Sequence, residues 1–395
     1  MHIPFWQRTK EFFLNRGRWR ERLSIFEAVA LIVGSTIGAG ILGIPFAISK
    51  AGIMIGIAYI VGLGLLMAAI NLMVGEVASR TLRNLQIVGL SKKYAGKNGG
   101  RLMSILFYTQ IFSILILYLI AVGEILASLF GWQPWMWTLI FWTVGSFVVY
   151  FGIHAVKKAE VILTSFIILV ILVIAFLCFP HINNGFYGIN NFSYFFIPYG
   201  VVLFSFSGIG TIPAAYRLLY GQGSLFKKAI VISSVISITV YILFTVLVIG
   251  VTGTETTEIA TIGLGEALGD VMFYMANIFA ILAMTTSFLM LSMEIKDSLK
   301  WDFDFSHNIG SAIALGVPLA VFLAGLRQFI ELMSIVGGVL VSLQMFLMIY
   351  VYWKAKIEGD IEPKQYRLSF TYAITGIALI AFLVGAASSL YGVIK

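Results

Sequence analysis

Charge is scarce in this chain. Of 395 residues, 11% are Asp, Glu, Lys or Arg and 60% are hydrophobic, where a soluble domain carries about 25% charged residues. With a mean hydropathy of +0.98, a water-soluble globule is excluded and a polytopic membrane protein remains. The single cysteine, Cys178, excludes an intrachain disulfide and a thiolate metal cluster. The four histidines, His2, His154, His181 and His307, all fall at or beyond the ends of apolar runs, which excludes an intramembrane histidine relay. No connection between the runs is long enough to form a soluble domain.

What is present is a series of apolar segments, each near the length of about 20 residues that a spanning helix needs. Eleven are expected, at 24–49, 53–79, 102–130, 135–153, 159–179, 194–219, 228–251, 266–293, 308–326, 330–353 and 369–392. The charges test that count. With the N-terminus inside, only Lys50, Arg327 and Lys395 of the 26 Lys and Arg residues fall in outer connections. The positive-inside rule then gives a cytoplasmic N-terminus and an outer C-terminus. The formal net charge of +8 is therefore topological, and no nucleic-acid partner is expected. Residues 1–23 mix Arg and Lys with Phe5, Trp6, Phe12, Phe13 and Trp19. They read either as an amphipathic helix on anionic headgroups or as a solvated cytoplasmic tail. Residues 24–392 form one transmembrane domain.

Segment 1 is interrupted by Gly34-Ser35-Thr36-Ile37-Gly38-Ala39-Gly40, and segment 6 by Ser205-Phe206-Ser207-Gly208-Ile209-Gly210-Thr211. Glycine costs about 1 kcal/mol relative to alanine inside a helix. Unwound backbone survives at membrane depth only where something polar satisfies it. For one such stretch alone, close helix packing through a small-xxx-small pattern is a competing explanation. Two of them at mirrored positions, entering from opposite sides, point instead to a 5+5 inverted repeat (24–179 and 194–353) with one extra helix at 369–392. Paired interrupted segments of this kind mark a transporter's binding site.

The half-helix that starts near Gly40 aims its free N–H groups and positive dipole end at the membrane centre, which suits a carboxylate. Ser35, Thr36, Ser205 and Ser207, with carbonyls freed in the same breaks, suit an ammonium group. Neither break contains Asp, Glu, Lys or Arg, so the ligand is expected to bring its own anion. Candidate substrate-binding residues are Ser35, Thr36, Gly38, Ala39, Gly40, Ser205, Phe206, Ser207 and Gly208. A wall from Tyr108, Phe112, Ser113 and Ile116 of segment 3 is expected to complete them. In segment 8, Ala283, Thr286 and Ser287 share a helix face, and with the carbonyls of Gly34 and Ile37 they compose a five-oxygen sodium cage. Bonding of the two hydroxyls to their own preceding turn is the alternative.

Gly34 to Ala47, with Glu76, Gly123-Glu124, Pro180-His181-Ile182, Ser205 to Pro213 and Thr286-Ser287-Phe288-Leu289, resembles the amino acid/auxin permease family of the APC superfamily, and within it the bacterial tyrosine/tryptophan permease branch. The resemblance implies an all-α integral membrane protein with a LeuT-like fold, in which helices 1 and 6 are broken at mid-membrane. It implies cation-coupled amino acid symport by alternating access, with helices 1, 2, 6 and 7 rocking against the rest. By the same analogy, N–H groups of Gly38, Ala39 and Gly40 hold the substrate carboxylate. The Gly34, Ile37, Ala283, Thr286 and Ser287 set then corresponds to a sodium site. The substrate is expected to be a neutral or aromatic amino acid.

An acid within a span is a functional hypothesis by default. Glu27, Glu76 and Glu124 are therefore candidate proton carriers, and the coupling ion is Na⁺ or H⁺. Glu160 and Glu294, beside Lys158 and Lys296, read as inner-surface charge partners. No cofactor is expected, the partners are a small-molecule substrate and the lipid of the cell membrane, and one copy suffices. An enzyme would need a nucleophile–base pair or metal cluster at depth, and none is present. A membrane sensor that binds an amino acid in the same pocket without moving it is the rival reading.

Overall fold

In hydrocarbon only a helix or a closed barrel satisfies every backbone N–H and C=O. Apart from an isolated bridge between Gly52 and Asn190, regular structure among the described residues is entirely helical. The computed structural model describes residues 24–151, 165–166, 169–188, 190–325, 329–362, 366–369 and 371–394. The basic segment 1–23, Lys158 and Glu160 lie outside them.

The helices are α1 (Ser24–Thr36), α2 (Gly40–Ala51), α3 (Ile53–Ser79), α4 (Ile87–Phe130), α5 (Pro134–Phe151) and α6 (Leu169–His181). They continue with α7 (Ile197–Ser205), α8 (Thr211–Leu218), α9 (Gly223–Thr252), α10 (Ala260–Leu268), α11 (Asp270–Phe303) and α12 (His307–Leu323). The chain closes with α13 (Phe329–Ile335), a π-helical stretch Val336–Val341, α14 (Ser342–Glu358) and α15 (Thr371–Ile394). Among the described residues, seven helices are long and apolar enough to cross a bilayer, eight if α1 and α2 count as one bent span, while α6 and α12 are shorter apolar helices. The chain is a multi-pass membrane protein.

Several expected boundaries move. Helix α4 begins fifteen residues before the expected 102, because residues 87–95 form a helical turn-in that meets the long span across a kink at Gly96 (φ 71°). The outer connection 252–265 folds partly into α10. Helix α11 runs ten residues past 293, carrying Glu294, Lys296 and Asp297 in helical backbone that their charge had seemed to end.

Two packed groups result. Helices α2, α3, α7, α8 and α9 form one connected set centred on α3, while α4, α5, α11 and α12 form a second. Helix α14 and the π-helical stretch touch members of both. Helices α2, α7 and α8 of the interrupted segments thus belong to one group.

Candidate functional site

Helix α1 stops at Thr36 and α2 restarts at Gly40, with 51° between their axes. Helix α7 ends at Ser205 and α8 begins at Thr211. The backbone bonds across the two interruptions match residue for residue. Gly38 N–H donates to Thr36 O (3.1 Å) and Gly208 N–H to Phe206 O (2.9 Å). Ile41 N–H reaches Gly38 O (3.4 Å) as Thr211 N–H reaches Gly208 O (3.3 Å), and Leu42→Ala39 (3.0 Å) matches Ile212→Ile209 (3.2 Å). The same backbone conformation occurs twice, because each half supplies Gly-x-Gly at the same place.

The breaks also interlock. A Cβ on Gly40 would lie 2.7 Å from Ser205 Cα, and one on Gly208 would lie 2.8 Å from Thr36 Oγ1. Glycine in each break is what lets the other's hydroxyl residues come this close. Thr211 Oγ1 donates to Ser35 Oγ (2.7 Å). From α9, the buried Tyr241 hydroxyl lies 2.7 Å from Thr36 O and 2.6 Å from Ser205 O, so it caps the last carbonyls of both α1 and α7. These carbonyls are the groups a helix end leaves unsatisfied.

A void of about 10 Å³ separates the breaks, lined by Ser35, Thr36, Gly38, Gly40, Ser205 and Ser207, with Ile114 and Tyr118 of α4, Phe204 and Leu291. That is room for about one water, so this is a closed arrangement. Each hydroxyl spends its proton on its own helix: Ser35 and Thr36 on Ile32 O (3.0 and 2.7 Å), Ser205 on Val201 O (2.7 Å), Ser207 on Phe204 O. What each keeps is acceptor capacity. Of the N–H groups assigned to a carboxylate, that of Gly38 turns back on Thr36 O.

The expected α4 wall is rotated. Phe112 is half-buried against Tyr108, with ring centroids 6.3 Å apart, and Tyr108 bonds Ser298 (2.9 Å). Ser113 bonds back to Thr109 O. Ile114 and Tyr118 line the void instead. Residues 114–122 of α4 are buried without exception and almost all apolar, so no period in the sequence picks out the face. Phe206 points to the other side of the break, edge-on to Tyr241 at 4.9 Å.

The Ser287 hydroxyl donates to Gly34 O (2.9 Å), with Ile37 O at 3.4 Å, so α11 meets the first break where the oxygen cage was expected. Thr286 bonds Ala283 O in its own turn (2.8 Å).

The acids separate by environment. Glu27 and Glu124 are exposed. Glu76 is fully buried and saturated. Arg80 donates to its Oε1 from Nε (3.0 Å) and Nη2 (2.8 Å), while Tyr352 OH (3.2 Å) and Leu368 N–H (3.1 Å) donate to Oε2. It joins the end of α3 to α14 and to the approach to α15, which is a fastening role. Glu294 is not the surface charge partner expected of it. It is buried, and Lys296 turns away to donate to Val149 O of α5 (2.8 Å). Glu294 Oε1 instead lies against the second break, where a Cβ on Gly210 would approach it to 1.4 Å.

The fold and these paired interruptions are those of a helical membrane protein of the LeuT-like class. The chain superposes on the crystal structure of MhsT in complex with L-phenylalanine with a TM-score of 0.71, at 14% identity, covering 92% of this chain and 98% of that one. In sequence it is 25% identical over 342 residues to glutamine transporter 2 of Aliivibrio fischeri. It is 26% identical over 351 residues to tyrosine-specific transport system 1 of Haemophilus influenzae. Each alignment covers 82% of this chain and 87% of the relative. The tryptophan/tyrosine permease family matches residues 21–326, and the chain belongs to that family. Its relatives are amino acid transporters, and the protein is not an enzyme.

Proposed function

We propose that the protein is a secondary active transporter that carries a neutral or aromatic amino acid in symport with a cation, by alternating access. The observation that carries this is the pair of matched breaks, facing each other across a polar void inside an apolar bundle. Hydroxyls that keep only acceptor capacity suit the substrate ammonium, and the start of α2 suits its carboxylate. The closed void supports a cycle in which the α2, α3, α7, α8 and α9 group moves against the α4, α5, α11 and α12 group to admit the substrate. The named relatives, a glutamine and a tyrosine transporter, agree with a neutral or aromatic side chain. In this reading the chain crosses the membrane eleven times as a 5+5 inverted repeat plus one helix, with the breaks at mid-depth, the N-terminus in the cytoplasm and the C-terminus outside. Gly34, Ile37, Ala283, Thr286 and Ser287 form the cation site under sodium coupling, and the contact of Ser287 with Gly34 O supports that position.

The test is uptake of radiolabelled amino acids into proteoliposomes, with a sodium and a proton gradient imposed separately. Accumulation under one gradient is the expected result. Binding without accumulation under either would favour the sensor and overturn the transporter.

A further inference from the structure

Glu294 takes no part in the contacts that line the void between the breaks, and its surroundings give it a role of its own. It sits on α11 with 9% of its surface exposed. Among the described residues it has no hydrogen-bond donor and no cationic partner. It lines a cavity of about 210 Å³ together with Gly210, Thr211 and Arg217 of the second break and α8, Leu31 of α1, Gln86 before α4, and Asp297 and Trp301 of α11. The buried Gln86 Oε1, also without a partner, belongs to the same lining.

Each charged group that faces this cavity is otherwise engaged. Arg217 of α8 lies flat on the Trp301 ring at 3.4 Å, and the acids that act on it are Asp297 and Asp302. Asp302 is held by the Ser298 hydroxyl (2.9 Å) and the Gln86 N–H (3.2 Å). Asp297, one turn from Glu294, is a like charge acting on it. Helix α1 contributes only Leu31, and the chain before α4 only Gln86. A carboxylate here has no donor or cation to hold its charge, and the partner left open to it is a proton. The cavity gives that proton a route.

Position turns this into coupling. Oε1 packs against Gly210, the N-cap of α8, where the positive end of a helix favours the anion over the neutral acid. Gain or loss of one proton therefore changes the attraction between α11, in one packed group, and the start of α8, in the other. The saturated Glu76 and the exposed Glu27 and Glu124 lack that combination.

We propose that Glu294 is the proton-binding residue that couples amino acid transport to a proton gradient. This rests on the transporter reading. The proton binds the carboxylate as substrate is taken up and is released through the 210 Å³ cavity, with no other co-reactant. The test uses the full chain in proteoliposomes, with radiolabelled L-tyrosine and L-glutamine as probes and pyranine inside to record acidification. In the wild type, a gradient of one pH unit sets a ceiling of about tenfold accumulation for one proton per substrate, and acidification should accompany uptake. Glu294→Gln should lose both while still exchanging labelled for unlabelled substrate, and Glu294→Asp should recover part of the accumulation. Accumulation in Glu294→Gln that matches the wild type overturns the proposal. So does a wild type that exchanges substrate without acidifying the lumen, which leaves the transporter reading standing. A wild type that neither exchanges nor accumulates a probe overturns both. If Glu294→Gln does not fold, the wild-type acidification and the Glu294→Asp variant still decide.

Discussion

Two buried carboxylates, Glu76 and Glu294, meet opposite surroundings. Glu76 is surrounded by donors, with Arg80 within i,i+4 reach on its own helix and Tyr352 and Leu368 brought in from the far end of the chain. Glu294 is also buried, at 9% exposed, and faces Asp297, a glycine backbone and a cavity. Burial alone thus says little about an acid. What separates a fastening from a switch is whether the fold supplies partners for the charged form, since an unpaired buried ion is far costlier than a paired one.

That contrast is testable by size. Glu76→Leu leaves Arg80 buried without its acceptor and should cost about 3–5 kcal/mol. Thermal melting of the purified protein should fall accordingly, and an unchanged transition would erase the distinction. Next comes a comparison of the glycines beside each break. Gly40→Ala drives a methyl into the Ser205 backbone and should cost about 1–3 kcal/mol. Gly210→Ala meets the end of the Glu294 side chain first, with the Phe107 ring at 3.1 Å and no backbone atom among the nearest contacts, and should cost less in the same melt, while altering pH-dependent uptake more. If the two variants melt alike, the breaks are mechanically equivalent. Glu294→Gln exchanges one buried polar group without a partner for another and should stay within about 1 kcal/mol of the wild type. A large loss there would mean that Glu294 is a fastening after all.

The smallest effect belongs to Asp360, in the connection beside the Glu76 cluster. Lys93 and the Leu82 N–H hold its carboxyl below the ordinary aspartate range. Its stabilising contribution is complete above the unfolded value and is lost as pH falls through the lower folded value. Being exposed, the pair should be worth less than about 1 kcal/mol. Asp360→Asn should flatten a slight acid-side slope in the melting temperature and leave the neutral-pH value nearly unchanged.

Much of the architecture was legible beforehand, because apolar length, glycine and hydroxyl content are local properties. The interruptions at Gly34–Gly40 and Ser205–Thr211 needed no partner to be seen. The face of α4 was not legible, since a run of apolar residues through Ile114 and Tyr118 carries no stripe. Tyr241 was missed as a lone tyrosine in an apolar segment, and its role exists only once α9 lies beside both breaks. Glu294 was misassigned because nearby Lys296 suggested an ion pair, whereas helical geometry sends the two side chains to different faces, one to α5 and one to the second break. Long-range packing decides such cases, and composition does not contain it.

The Tyr241 hydroxyl has a single proton and two carbonyls competing for it, one from each interrupted segment. A linkage of that kind removes a degree of freedom: neither interrupted helix can swing away while the other stays without leaving one carbonyl unmet. The contact thereby favours the ends of α1 and α7 staying together.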